Sequence, residues 1–325
     1  MRLVCVDIGG THARFAIATA GAGGAITVGE PLTLQTRDHA SFQTAWQEFA
    51  RQQGGDLPRA VSIAVAAHVF DDVIHFTNNP WSIRPPQIAE MLGVDRWTVI
   101  NDFGAVGHAV ARADDAAYLH LCGPDTPLPA TGTLSIVGPG TGLGVAHVWR
   151  DGKGGYRVQA TEGGHVAFAP LDSIEDAILA RLRPRHRRVS AERVVAGPAI
   201  VDIYDTLAAI EGKAVAALDD RALWAAGTTH DRTDSLAAAA VERFCLALGS
   251  VAGDIALAQG ADGVVIAGGL GLRIRDSLLA SGFAERFRAK GRFENLMAGL
   301  PVKLITSPQP GLFGAAAAFA QEHLP

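Results

Sequence analysis

Cysteine is scarce in this 325-residue sequence: Cys5, Cys122 and Cys245 lie far apart, and no C-x-x-C pair occurs. A disulfide framework or a zinc knuckle needs cysteines at short, regular spacings, so neither is expected and a reducing compartment is indicated. An excess of positive charge is also lacking, since the formal net charge is -5. A general attraction to nucleic acid or to an anionic membrane is therefore not expected.

No segment for targeting or for crossing a membrane is expected either. Residues 1–7 reach an acid too early for a secretory signal, and they predict a strand instead. The uncharged stretch 131–149 contains five glycines and a proline, which argues against a membrane-spanning helix. We expect a soluble, cytoplasmic protein without a membrane partner.

Apolar residues, in contrast, are abundant: they make up 48% of the sequence, against 19% for charged residues, which is a globular composition. A length of 325 residues exceeds the usual size of one hydrophobic core. Two lobes are therefore the default expectation. No linker and no low-complexity tract separates them.

The hydrophobic pattern predicts two series of strands and helices. In the first series the predicted strands are 3–7, 14–18, 27–33, 61–66 and 97–100, and the predicted helices are 41–53 and 103–112. In the second series the predicted strands are 134–141, 145–149, 264–267 and 302–306, and the predicted helices are 173–183, 190–195, 200–211, 236–259 and 311–322. Alternation of this kind predicts mixed sheets covered by helices.

Both series open with a strand, a glycine turn and a second strand. Aligning Gly10-Thr11 with Gly140-Thr141 sets Asp7 against Val137, so only the first copy carries an acid. This self-similarity predicts two related lobes that face each other across a cleft.

The first glycine turn follows a strand that ends in Asp7. Glycines let backbone N–H groups approach an anion closely, Thr11 adds a hydroxyl donor, and Asp7 is placed to hold a hydrated Mg²⁺ beside a phosphate. An ordinary tight hairpin with an incidental acid is the alternative.

The second glycine turn, Gly138–Gly144, is not a G-x-G-x-x-G motif, and a strand rather than a helix follows it. A Rossmann site is therefore disfavoured, and no Walker A motif occurs in the chain. Two phosphate hairpins without a P-loop predict a different nucleotide fold, although a plain structural turn remains an alternative. Gly268-Gly269 after a buried strand would let an adenosine lie against the backbone, or would merely end the strand.

Asn101-Asp102 follows a buried strand and opens a helix. Asp102 can accept a proton from a substrate hydroxyl that attacks phosphorus. A helix N-cap is the alternative, because Asn and Asp are both favoured there.

The bend Glu162–His165 offers a carboxylate and an imidazole for adjacent hydroxyls. Glu192 lies after Ser190, which is itself a good N-cap residue. His165 as a metal ligand is a further alternative, but no second His or Cys stands at a ligand spacing.

Taken together, these motifs resemble the bacterial glucokinase family, within the superfamily of sugar kinases, actin and heat-shock chaperone ATPases. The match runs from Val4 to about Ala318, with the motifs in the family's order. The segments that carry it are Val6–Thr11, Thr77–Trp81, Asn101–Phe103, Gly138–Gly144, Glu162–His165, Ser190–Arg193, Val265–Gly271 and Pro310–Ala315.

The resemblance implies a two-lobed, ribonuclease-H-like α/β fold of the actin-like ATPase type, with a cleft between the lobes. A small lobe, 1–112, would be completed by 303–325, and a large lobe would span 113–302. The implied reaction is ATP-dependent phosphorylation of glucose at the 6-hydroxyl, which opens glycolysis. Mg²⁺ as cofactor and a homodimer are implied as well.

The resemblance also assigns residues. Asp102 would be the catalytic base. Glucose would be bound by Asn78, Asn101, Asp102, Glu162, His165 and Glu192. ATP would be bound by Val6, Asp7, Ile8, Gly9, Gly10, Thr11, Gly138, Gly140, Thr141, Gly268 and Gly269, with Asp7 holding Mg²⁺ through water.

The chain departs from the family pattern at three positions: His12 replaces the usual Asn, and His68 and Asp71 stand where Pro and Gly are frequent. Alternative functions are a kinase for mannose or glucosamine, an ATPase of actin or chaperone type, or a non-catalytic sugar-sensing regulator. A regulator would need a DNA-binding module, for which a sheet starting at Leu3 leaves no room. The basic run 181–188 is expected to be a solvated loop or a dimer contact rather than a nucleic-acid surface.

Overall fold

The computed structural model of the chain describes residues 1–21, 25–69, 71–76, 79–229 and 234–324. Its internal contacts divide the chain into two compact units. Unit 1 consists of Met1–Ala113, Val158–Ala160 and Ser307–Pro325, and unit 2 of Asp114–Arg157 and Thr161–Thr306. Each unit contains a mixed sheet with helices, as the sequence predicted.

The strands, in chain order, are β1 (Arg2–Ile8), β2 (His12–Ala20), β3 (Ile26–Val28), β4 (Leu32–Gln35), β5 (Ala60–Val65), β6 (Ile74–His75), β7 (Ser82–Ile83), β8 (Arg96–Asn101), β9 (Tyr118–Cys122), β10 (Thr131–Pro139), β11 (Leu143–Asp151), β12 (Tyr156–Thr161), β13 (Gly263–Ile266) and β14 (Val302–Ile305). The helices are α1 (Phe42–Gln52), α2 (Ile88–Leu92), α3 (Asp102–Arg112), α4 (Ser173–His186), α5 (Ala199–Ile210), α6 (Asp220–Gly227), α7 (Ser235–Gln259), α8 (Gly268–Arg273), α9 (Arg275–Ala280), α10 (Phe283–Arg288), α11 (Glu294–Ala298) and α12 (Pro310–His323).

In unit 1 the sheet order is β3-β2-β1-β5-β8, and β4 also pairs with β2. Strands β1, β5 and β8 run parallel, so their carboxyl ends share one edge of the sheet. Alternate residues of β1 enter two cores: Val4 and Val6 pack with the aromatic face of α1, and Leu3 and Cys5 pack with α12. The period of two along a strand buried on both faces explains why β1 is apolar almost throughout.

In unit 2 the sheet order is β12-β11-β10-β13-β14-β9, with β10, β13 and β14 parallel. Helix α7 is long and apolar enough to cross a membrane by composition, but 72% of its apolar window is buried inside the structure. Phe244, Leu248 and Ala252 of this helix lie in the main core. Its apolar character is therefore that of a core helix.

Three predicted elements differ from the structure. The single strand predicted at 27–33 is two short strands, β3 and β4, both of which pair with β2. The helix predicted at 190–195 is a single 3-10 turn, Ala191–Arg193. Gly197 and Pro198, which disfavour a continuing helix, follow it closely. Residues 303–306, which the prediction joined to the small lobe, lie in unit 2, since β14 pairs there with β13 and β9.

Candidate active site

The first hairpin joins β1 to β2 in unit 1. The last paired residues are Ile8 and Ala13, and the Gly9 N–H donates to the carbonyl oxygen of His12 at 2.9 Å. Thr36 then closes the turn from outside, because its hydroxyl donates to the Gly10 carbonyl oxygen at 2.9 Å. This leaves Thr11 exposed at the tip of the turn.

Asp7 and Arg14 are cross-strand partners in this hairpin. Arg14 Nη1 donates to Asp7 Oδ2 at 3.3 Å, and the Asp7 side chain is 19% exposed. Burial raises the pKa of Asp7, while the charge and the hydrogen bond of Arg14 lower it, and the net direction is upward. A Cβ atom on Gly311, in the first turn of α12, would lie 3.0 Å from the carboxylate. Asp7 therefore stands at a helix N-terminus, which favours its negative charge.

Asn101 and Asp102 lie at the same sheet edge as the first hairpin, because β5 pairs with both β1 and β8 and sets Val65 between Ile8 and Asn101. Asn101 is the N-cap of α3: its side-chain oxygen accepts the N–H groups of Phe103 and Gly104 at 2.9 and 3.1 Å. Asp102 is the first helical residue, and its Oδ1 accepts the Phe103 N–H at 2.8 Å. The cap is thus made by Asn101. The predicted role of Asp102 as a proton acceptor is compatible with this local structure.

The second hairpin joins β10 to β11 in unit 2. Pro139 and Leu143 are the last pair, and the Gly140 N–H donates to the Gly142 carbonyl oxygen at 2.8 Å. Thr141 is exposed at the tip. Beside it, Gly268 begins α8 with φ = 87°, and a Cβ there would lie 2.8 Å from the Pro139 carbonyl oxygen, so this position requires glycine. The structure brings the second and third predicted ATP segments together.

The predicted sugar residues of unit 2 gather around this turn. Glu192 Oε2 accepts the Leu143 N–H at 3.0 Å. The 3-10 turn Gly163–His165 packs on the same residue through Gly164, and the Ala191 N–H donates to the Val166 carbonyl oxygen at 2.8 Å. His165 Nε2 lies 3.9 Å from Glu162 Oε2, and both side chains are more than half exposed.

The predicted site residues therefore fall into two sets. Unit 1 brings together the residues Val6 to Thr11 with Asn101 and Asp102. Unit 2 brings together Gly138, Gly140, Thr141, Glu162, His165, Glu192, Gly268 and Gly269. Asn78 lies outside the described residues.

Sequence reasoning missed Arg14 and Gly311, which flank Asp7, and the contact between Glu192 and Leu143. Arg14 carries a local signal, because a basic residue opposite an acid in a predicted hairpin indicates a cross-strand pair. Gly311 and Leu143 meet their partners through tertiary packing, which has no signal in one sequence.

Within the described residues, no group of three or more His, Cys, Asp or Glu side chains is placed to hold a metal ion.

The basic run 181–188 forms ion pairs within unit 2. Arg181 pairs with Asp202 and Asp205 of α5, and Arg185 also pairs with Asp202. Part of this run is thus neutralised by acids of the same unit.

The chain is similar to known sugar kinases over its full length. The model of the glucokinase family matches residues 4–322. A glucokinase of Zymomonas mobilis is 55% identical over 323 residues, which cover 99% of each chain.

Solved structures show the same likeness. The crystal structure of a glucokinase from an Antarctic psychrotroph superposes with a TM-score of 0.84 and 31% identity, over 98% of this chain and 99% of that one. A ROK family glucokinase from Streptomyces griseus, in complex with glucose and AMPPNP, superposes with a TM-score of 0.64 at 18% identity, over 99% of this chain and 100% of that one. The predicted fold class, a two-lobed α/β fold of the actin-like ATPase type, is confirmed.

Proposed function

The chain belongs to the glucokinase family, and from this membership we propose that it transfers the terminal phosphoryl group of ATP to the 6-hydroxyl of glucose. The products would be glucose 6-phosphate and ADP. The observation that carries the proposal in the structure is the gathering of Glu162, His165 and Glu192 around the turn of the second hairpin. A sugar-binding set beside a phosphate-binding turn is what a sugar kinase requires.

Asp102 is the proposed catalytic base. Asn101 already caps α3, so Asp102 is not needed as the cap. The N-terminus of a helix favours the ionised carboxylate, which is the form that accepts a proton. Asp102 would take the proton of the 6-hydroxyl as that oxygen attacks phosphorus.

Glucose binding is assigned to Asn101, Glu162, His165 and Glu192, together with Asn78. Asn101 uses its oxygen for the helix cap and donates its side-chain N–H to the Ala67 carbonyl oxygen at 3.3 Å. The exposed carboxylate of Glu162 and imidazole of His165 offer an acceptor and a donor for neighbouring hydroxyls.

ATP binding is assigned to the two hairpins and to the start of α8. Their backbone N–H groups and the exposed hydroxyls of Thr11 and Thr141 suit phosphate oxygens. Phosphoryl transfer depends on positioning and charge neutralisation more than on covalent chemistry, so a rigid backbone cradle is the relevant device.

Mg²⁺ is proposed to bind beside Asp7. This ion usually keeps several waters and is held by one or two carboxylates plus substrate phosphates, rather than by an all-protein cage. The residues fit that pattern, because Asp7 supplies one carboxylate, which would hold the hydrated ion through its waters. When bound, the ion would neutralise charge on the phosphates.

The cellular setting follows from the proposed reaction. Glucose phosphorylation opens glycolysis, which takes place in the cytoplasm. The free thiols of Cys5, Cys122 and Cys245 agree with a reducing compartment. A homodimer is proposed from the family resemblance, with no nucleic acid or membrane as partner.

A coupled kinase assay over a sugar panel, with Mg·ATP as donor, tests the proposal. We expect the highest kcat/KM for glucose and lower values for mannose and glucosamine. A preferred sugar other than glucose would change the substrate, and sugar-independent ATP hydrolysis alone would contradict the kinase assignment.

A further inference from the structure

The turn of the second hairpin is contacted by two segments: the bend Glu162–His165, and residues 190–197, which include Glu192. On one side lies the 3-10 turn Gly163–His165, where a Cβ on Gly164 would stand 2.1 Å from the Leu143 carbonyl oxygen. On the other side the Gly197 N–H donates to the Gly140 carbonyl oxygen at 2.7 Å. The shape of this turn therefore depends on its neighbours as well as on its own strands.

Glu192 adds a charged contact to this turn. Its Oε2 accepts the Leu143 N–H at 3.0 Å, and a hydrogen bond to an ionised acceptor is roughly twice as strong as a neutral one. A Cβ on Gly142 would lie 2.5 Å from the same oxygen. The absence of a side chain at this position leaves room for the carboxylate to reach the backbone of the turn.

We propose that Glu192 is a positioning residue for the nucleotide as well as a sugar ligand. Its carboxylate holds the turn of the second hairpin in the shape that receives the ATP phosphates. Because the sugar binds the same carboxylate, each substrate changes the affinity of the other, and this coupling is reciprocal. The inference rests on the proposed function for the identity of both substrates.

The first test uses the sugar-free protein and the variant Glu192→Ala. Loss of the acceptor exposes the Leu143 amide, so its hydrogen exchange should become at least about tenfold faster. Binding of Mg·AMPPNP, measured by calorimetry, should weaken about tenfold, which corresponds to about 1.4 kcal/mol. A carboxylate that serves the sugar alone would leave both quantities at their wild-type values, and that result would overturn the proposal. Faster Leu143 exchange with unchanged AMPPNP binding would also overturn the proposal, because it would show the hydrogen bond without a role for the nucleotide.

A second variant tests the same contact without changing Glu192. Gly142→Ala places a methyl group against the carboxylate, at a position whose φ lies outside the left-handed region. We expect the same faster exchange at Leu143 and weaker AMPPNP binding. In the double variant Gly142→Ala/Glu192→Ala the methyl group meets no carboxylate, so the second substitution should add little to the first. Additive losses would mean that the two residues act independently.

Glu162→Ala is the matched control, since it removes another proposed sugar ligand, whose side chain is 74% exposed. It should weaken glucose binding but leave sugar-free AMPPNP binding and Leu143 exchange unchanged. Saturating glucose should alter Leu143 exchange in the wild type and not in Glu192→Ala.

Failure of the inference and failure of the proposed function give different results. If the wild type phosphorylates glucose but Glu192→Ala changes neither sugar-free measurement, the proposed function stands and the positioning role is refuted. If the wild type does not phosphorylate glucose but Glu192→Ala changes both measurements, the role of Glu192 at the hairpin stands and the proposed substrate is refuted.

Discussion

The two hairpins share a backbone plan and differ in the source of their carboxylate. In the first hairpin Asp7 belongs to β1 and faces Arg14 across the strand pair. In the second hairpin the equivalent residue is Val137, which lies opposite Val145, and both are fully buried. The carboxylate at the second turn comes instead from Glu192, in a separate segment.

The comparison shows how one turn can be put to two uses. Strand pairing and glycine build the backbone that we propose to bind phosphate in both units. The first hairpin has its charge fixed within the sheet, where neighbouring strands hold it. The second hairpin receives its charge from Glu192, which we propose to be a sugar ligand as well, so the proposal links the shape of this hairpin to the second substrate.

The largest expected effect comes from Asp102, which lies outside both hairpins. It tests whether the hairpins only bind substrate, while proton transfer depends on Asp102. Asp102→Asn should keep the fold and most glucose binding, but should lower kcat by about 10² to 10⁴-fold, because the proton acceptor is lost. Steady-state kinetics with a glucose-binding titration measures this. A loss of less than about tenfold would remove Asp102 from the role of catalytic base.

The next largest expected effect concerns the proposed sugar ligands beside the second hairpin. Glu162→Gln should raise the KM for glucose by about tenfold, since a lost charged hydrogen bond costs on the order of 1–3 kcal/mol. The KM for ATP should change little. If the KM for ATP rose while that for glucose stayed constant, the bend Glu162–His165 would belong to the nucleotide.

Arg14→Met tests the contrast between the charged strand pair of the first hairpin, Asp7 and Arg14, and the apolar pair of the second. Breaking a fully buried ion pair costs about 3–5 kcal/mol, but Arg14 is 37% exposed, so solvent screening reduces the expected loss to about 1–2 kcal/mol at pH 7. Both influences that lower the pKa of Asp7 disappear, and burial then raises it further. The wild-type folded state already retains the Asp7 proton more strongly than the unfolded chain, and the variant retains it more strongly still. The variant therefore loses stability relative to the wild type as pH rises above the pKa of Asp7 in the wild-type folded state, which lies above 3.8.

Denaturant unfolding at pH 4 and pH 7 measures this difference. Val145→Ala, at the facing position of the second hairpin, is the control, and its loss of stability should be independent of pH. An equal pH dependence for both variants would remove the distinction between the charged and the apolar strand pair.

The smallest expected effect comes from Gly311→Ala. Gly311 lies against the Asp7 carboxylate of the first hairpin, as Gly142 lies against the Glu192 carboxylate of the second. The added methyl group would lie 3.0 Å from the Asp7 carboxylate, a tighter contact than usual but less severe than 2.5 Å at Gly142. Alanine gains about 0.5–1 kcal/mol over glycine in a helix, which offsets part of the crowding. The free energy of unfolding should change by less than about 1 kcal/mol, and the KM for ATP should rise less than in Gly142→Ala. The reverse ranking would mean that the first hairpin is the more sensitive of the two.

Local patterns in the sequence predicted both hairpins, because an apolar run, glycines and a second apolar run are contiguous at Val6–Thr11 and Gly138–Gly144. The helix at Asn101-Asp102 was predicted too, but not which residue caps it, since both side chains suit that position. The pairing of Glu192 with Leu143, and of Gly311 with Asp7, depends on distant segments. No local propensity encodes such contacts.

The chain path also orders the events of biosynthesis. Helix α12 completes the core of unit 1, where Leu312 and Phe319 pack with Leu3 and Cys5, and Gly314 meets the backbone of α3 at Ala105. Every residue of unit 2 is translated before this helix. Strands β1 and β2, which are made first, therefore await their last partner until all of unit 2 has been synthesised. The core of unit 1 is completed last, which differs from the usual order in which the N-terminal domain folds first.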